Sequence, residues 1–229
     1  MGNRRIDEFA QRIREYEAST PIKHKRTETK IIIEREKSYP VDISLILGDA
    51  IHNLRTALDL LASELVQLNG QGMEEVYFPF ARNAKELDKQ IKKKHFDRAG
   101  LIAVNLLHKI EPHSEGNKPL RGLHDLDIKD KHQLILLPVA QFFQINNFLL
   151  KGPRGELATT IIRGLGDGIS VSAKPEDKAT WDSIRYTAVF DNDVPEVFRG
   201  QPIIETLKKL SDIVDKIIKA FSNLSNVGN

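Results

Sequence analysis

The sequence predicts an α+β protein, with long helices in a bundle packed against an antiparallel sheet. Three observations lead there. Segments 43–68 and 203–224 both carry apolar residues at alternating steps of four and three. Between them, from about 133 to 191, β-branched and aromatic runs are separated by glycine-rich connections. The chain has 229 residues, 40% of them hydrophobic, which suits one large domain with a substantial core.

Residues 4–18 form a short amphipathic helix with Ile6, Phe9, Ile13 and Tyr16 on one stripe, stopped by Thr20-Pro21. Thr27, Thr29, Ile31 and Ile33 then alternate with charged residues, so 27–37 reads as an exposed strand ended by Tyr39-Pro40. Asp42 is placed to cap the next helix, which runs to Asn69-Gly70. Its seam is Leu47, Ile51, Leu54, Leu58, Leu61, Leu65 and Leu68. The last helix repeats the pattern with Ile203, Leu207, Leu210, Val214, Ile217, Phe221 and Leu224, widened by Ile204, Ile213 and Ile218. Two such seams are expected to pack on each other. That wide face is also compatible with a homodimer.

Tyr77-Phe78-Pro79-Phe80 is a short extended piece, followed by a basic helix at 83–95, an apolar one at 97–110 and a third at 118–131. Residues 133–149 turn β-like, with a bend at Pro138. Strands near 157–163, 168–174 and 184–191 complete an antiparallel meander. One domain spans 1–229. Its helical part is about 1–131 and 200–226, and its sheet is 132–192 with the strand at 27–37.

Composition removes several functions. With 34 Lys+Arg against 32 Asp+Glu, the net charge of +2 gives no bulk case for nucleic-acid binding. No run approaches about 18 apolar residues, so no membrane span is expected. The charged start lacks the apolar stretch of a signal peptide, and Ile6 stands where a myristoylation signal has Ser or Thr. The absence of cysteine excludes disulfides, thiol nucleophiles and thiolate zinc. A soluble, cytoplasmic protein is the expectation.

On a helix over 43–68, Asp49, His52, Thr56, Asp59 and Ser63 fall within about 80° of arc opposite the leucine seam. Arg55 lies at one margin and Asn53 beyond the other. Most polar helix faces are simply solvated. This one lacks the lysines that coat the chain's other helices and uses short residues that are poor helix formers. Gly48 interrupts the same helix at a cost of about 1 kcal/mol relative to alanine, which points to close approach by another element. Asp49 or Asp59 is placed to orient the His52 ring, and Arg55 offers a fork suited to phosphate.

A second cluster lies in RGLHDLDIKDKHQLILL. His124, Asp127 and Lys131 share one helical face, with Asp130 and His132 at the exit. Basic residues there also suit a helix C-terminus. If the clusters converge, His52 and His132 can exchange protons in metal-free phosphodiester chemistry, with Asp59 as a third catalytic residue and Arg55, Lys131 and Asn53 holding substrate. Asp49, Asp127, Asp130 and His124 would support them. A rival reading makes the same residues a hydrogen-bonded core that fixes helix register in a non-catalytic interaction or assembly module. A third is a metal hydrolase with a divalent ion on His52, His124 or His132 and Asp49 or Asp127. No cofactor is otherwise predicted. HExxH, EF-hand and Walker A patterns are absent. Gly164–Gly168 reads as a hairpin turn.

The stretch Gly48-Asp49-Ala50-Ile51-His52-Asn53-Leu54-Arg55-Thr56-Ala57-Leu58-Asp59, with Asp130-Lys131-His132, resembles a family of bacterial and phage-associated proteins marked by GDxxHNLRxALD and a later DKH. Phe78-Pro79 and Ile110-Glu111-Pro112 extend the likeness to about half the chain. The resemblance implies Asp49, His52, Asn53, Arg55, Asp59 and the Asp130-Lys131-His132 triplet as shared positions, and no particular reaction. A more distant likeness is to the HEPN-type nucleotide-binding helical proteins, many of them ribonucleases, in which a histidine follows an arginine by four to six residues. Leu60 stands where a histidine would complete that spacing from Arg55. The second likeness implies a nucleotide or RNA as partner.

Overall fold

A computed structural model of the chain describes residues 2–19, 22–35, 39–133, 139–153, 155–165 and 168–225. The class is α+β. Helix α1 (Gly2–Ser19) buries the predicted stripe of Ile6, Phe9, Ile13 and Tyr16. Helix α2 (Val41–Leu68) begins one residue before the expected cap. Pro40 occupies the cap position with extended backbone, and Asp42 lies inside the first turn. There its carboxylate accepts from Arg12 of α1 (3.1 Å from Nε), so an interhelical ion pair takes the side chain that a cap would have used.

Leu47, Ile51, Leu54, Leu58, Leu61 and Leu65 are buried along α2, whereas Leu68 is 66% exposed because the last turn runs past the core. The last helix, α6 (Ile203–Ser225), buries Ile203, Leu207, Leu210, Val214, Ile217 and Phe221. Ile204, Ile213 and Ile218 are partly buried against the same cluster. Both seams therefore enter one hydrophobic core, and α1 touches both helices.

The middle of the chain is more broken than its sequence predicts. The expected basic helix at 83–95 is a 3₁₀ turn (Ala84–Glu86) and a short α3 (Leu87–Lys93). His95 then adopts φ 54°, which no helix continues through. A second 3₁₀ turn (Phe96–Ala99) leads to α4 (Leu101–Ile110), entered through Gly100 at φ 90°. In α4 only Ala103 and Leu107 are buried, while Leu101 and Ile102 face solvent. Helix α5 (Lys118–Gln133) starts where Asn117 Oδ1 accepts from the Leu120 amide at 3.1 Å. It runs through 133, where a strand was expected to begin. Residues 134–138, with the bend expected at Pro138, lie outside the described residues.

The strand expected at 27–37 is the shorter β2 (Lys30–Arg35), and it forms a hairpin with an unpredicted β1 (Ile22–Arg26). The Thr27 hydroxyl accepts from the Lys30 amide at 3.0 Å, closing a turn where alternation had suggested extended chain. The expected meander is two antiparallel ladders. β3 (Val139–Gly152) is the spine of one, with β4 (Gly155–Leu165) along one edge. Its other edge is shared by β7 (Ser183–Phe190) and a short β6 (Lys178–Thr180) that the sequence did not announce. β5 (Gly168–Ser172) leaves β4 and pairs with β2. The reason is a second core. Ile31 and Ile33 of β2 and Ile169 of β5 bury with Phe143, Ile145 and Phe148 of β3. Gly166 and Asp167, in the predicted hairpin turn, lie outside the described residues. Ala188 and Phe190 of β7 join the helical core instead. Among the described residues no helix is long and apolar enough to cross a membrane.

Burial separates two leucines that look alike in the sequence of α4. Leu107→Ala is expected to cost about 2–5 kcal/mol and Leu101→Ala no more than about 0.5 kcal/mol, read from urea unfolding.

Candidate functional site

The two polar clusters meet. Gly48 lies against Asp130, His52 against Asp127 and Arg55 against His124. As α2 advances, α5 retreats by nearly the same step, which is the register of antiparallel helices. Gly48 has the reason its position suggested. A Cβ there would lie 2.8 Å from Asp130 Oδ2, so the carboxylate occupies the space of the missing side chain.

The inner half of the seam is a polar network around Arg55, which is 6% exposed. Its Nε donates to His124 Nδ1 at 3.3 Å and its Nη2 to the Phe78 carbonyl at 3.4 Å. Nη1 lies 2.6 Å from Asp59 Oδ1 as an ion pair, off the line of a hydrogen bond. The same Asp59 oxygen accepts from the Phe78 amide at 2.9 Å. The guanidinium sits 4.5 Å from the Phe80 ring centre, and that ring stacks on His124 at 4.4 Å and 3°. Arg55 is thus enclosed, which removes the fork expected to hold phosphate, and Asp59 is committed to the Phe78 peptide.

His124 is an acceptor in this arrangement, so its Nδ1 carries no proton. Burial first, and then the positive charge of Arg55 and Arg121, push its pKa down to about 3. It is a neutral partner of Arg55. The pull on Asp130 is opposite: burial and then the charges of Asp127 and Asp49 hold its pKa above the usual carboxylate range.

The outer half is open. His52 Nδ1 donates to Asp127 Oδ1 at 3.0 Å; the ring is 46% exposed and the carboxylate 7%. Lys131 Nζ lies 3.1 Å from the other oxygen, Oδ2. Nε2 of His52 faces Thr56 Oγ1 at 3.4 Å. The orienting acid is therefore Asp127, not Asp49 or Asp59 as expected. Asp59 is held by Phe78, and Asp49 lies 3.5 Å from Arg5 of α1. Asn53 is half-buried, with no side-chain hydrogen bond among the described residues. The side chain of His132 lies outside the described residues. Among those described, no three His, Asp or Glu groups are arranged to hold a metal ion. The Phe78 peptide and the Phe80 ring had been read only as an extended piece; the partner that fixes them lies on another element, out of reach of local spacing.

No protein-family model matches the sequence, and neither a curated protein nor a solved structure matches the chain.

Two outcomes follow from the seam. The unfolded chain takes a proton on His124 near its ordinary 6.5, and the fold refuses it down to about 3. Stability should therefore fall as pH drops through that window. Asp130 acts with the opposite sign, because its raised pKa adds stability at low pH that is lost as pH rises through its folded value. Melting temperatures from pH 8 to 4 should decline less steeply in His124→Gln. Second, Gly48→Ala should not deliver the gain of about 1 kcal/mol that helix propensity promises. In an Asp130→Ala background it should, as a higher melting temperature.

Proposed function

We propose that the outer edge of the α2–α5 seam acts on a phosphate-bearing ligand, a nucleotide or an RNA strand. The observation that supports this is a half-exposed imidazole held through one nitrogen by a buried carboxylate, with an ammonium on the same carboxylate. Asp127 fixes the tautomer with the proton on Nδ1 and leaves Nε2 as the basic nitrogen. In phosphodiester cleavage, Nε2 takes the proton of the attacking hydroxyl, and Lys131 faces the charge that builds on phosphorus-bound oxygen. His132 follows Lys131 in the chain and is assigned the proton returned to the leaving oxygen. Arg55 has no direct part. The resemblance to the GDxxHNLRxALD family agrees with this choice of surface, since it places His52 and Lys131 among the shared positions.

One observation favours a second reading for the inner half. Buried Arg55 is paired with Asp59, His124 and the Phe78 peptide, as expected of a polar core in a non-catalytic interaction module.

A panel of nucleotides and short RNAs, tested for binding and cleavage, separates the two. His52→Ala should lower turnover by about 10²-fold or more with little change in melting temperature. Arg55→Ala should destabilise by about 3 kcal/mol or more, since it strands Asp59 and the Phe78 carbonyl. A wild-type protein that neither binds nor cleaves any member, with His52→Ala as damaging to stability as Arg55→Ala, leaves only the structural reading.

A further inference from the structure

A cleft of about 500 Å³ lies apart from this seam, between the start of α5, the 3₁₀ turn Glu196–Phe198 and the outer side of α6. Its volume is in the range of small-molecule sites. Half-buried Val197 and Ile213 supply the accessible apolar lining over the buried Phe198 and Leu210, with Gln201 and Thr206 also on the wall. The wall is set by Gly122 of α5, where a Cβ would lie 2.6 Å from Phe198 Cε2 and 2.8 Å from Val197 Cγ1. Any side chain at 122 would push these residues away from α5. Two lysines border the cleft. Lys209 and Lys216 are seven residues apart on α6, about 10 Å along its axis, and both are exposed. Neither has an ion-pair or hydrogen-bond partner among the described residues. Asp212 also borders the cleft, but it lies on the ridge shared with a second cleft lined by Asp7 and Lys208.

Apolar lining with unpaired ammonium groups at the rim complements a molecule that is apolar along its body and anionic at one end. We propose that this cleft binds a small amphipathic carboxylate, its hydrocarbon body on Val197, Phe198, Leu210 and Ile213 and its headgroup at Lys209 or Lys216.

The test uses the full chain with sodium octanoate below micelle formation, followed by calorimetry and by amide chemical-shift mapping. Saturable binding is expected, with shifts centred on Val197, Leu210 and Ile213. Acetate should not bind, and octanol should bind roughly fivefold more weakly, the size of one exposed ion pair. The Lys209→Gln, Lys216→Gln double variant should bring octanoate down to the octanol level with an unchanged melting temperature. Ile213→Glu should abolish binding of both. Three results would overturn the proposal: no saturable octanoate binding, shifts centred elsewhere, or equal affinity in the double variant. Sedimentation showing a wild-type dimer that Ile213→Glu converts to monomer would overturn it too, by giving the cleft to a second copy.

Discussion

A buried guanidinium has to be satisfied on every side, and around Arg55 that requirement draws three separate pieces of chain together. Desolvating a cation costs several kcal/mol unless its partners are well placed. Arg55 meets the cost with a carboxylate from its own helix, an imidazole from α5, and a carbonyl and an aromatic ring from the irregular segment between α2 and α3. Removing one would leave the buried charge or a buried polar partner uncompensated. The His52–Asp127 pair lies on the same two helices, one turn towards the start of α2. The exposed imidazole of the seam thus sits one turn from an inaccessible ion.

The sheet is tied to this arrangement loosely. It has its own core, centred on Phe143, Ile145 and Phe148. Among the described residues, only β7 of the strands sends side chains, Ala188 and Phe190, into the helical core. β3 is the element that lets both happen, since 14 residues are long enough to pair with β7 at one end and β6 at the other. On the helical side, Phe78 touches Phe96 and Phe96 touches Phe221, each with ring centres 6.1 Å apart. That short aromatic chain connects the segment clamped by Arg55 to α6.

What could be read in the sequence followed from periodicity. The seams of α2 and α6 are written at helical spacing, and Gly48 announced a close neighbour without naming it. The hairpin at β1–β2 was hidden, because alternating Thr and Ile residues look the same whether the chain continues or folds back at Thr27. The path of β5 was hidden for another reason: its partner is 136 residues earlier (Ile169 pairs with Ile33), and no local pattern encodes that choice. In the site, both clusters were visible, but their roles were assigned from neighbours on one helix. Asp127 orients His52 from the other helix, so counting along α2 favoured the wrong carboxylates. Arg55 looked available because it stands at the margin of a polar face. What covers it is a peptide and a ring that local spacing cannot place.

The clamp on Phe78 divides the connection from α2 to α3 into two parts of unequal tolerance. Residues 69–75 are exposed throughout, with Gly70 at φ 70° and Glu75 at φ 58° turning the chain freely at the surface. From Val76 to Ala81 every residue except Tyr77 is buried, and the Phe78 peptide is held at both its N–H and its C=O. The first part is tied to the fold by Arg98, which donates to the Gly72 and Glu74 carbonyls, and its exposed start at Gly70 and Gln71 is where length is best tolerated. A tag, a fluorophore-bearing loop or an entire inserted domain would be accommodated best between Gln71 and Gly72, ahead of the carbonyls that Arg98 holds, whereas one added residue after Val76 would move Phe78 and Phe80 out of register with Arg55 and Asp59.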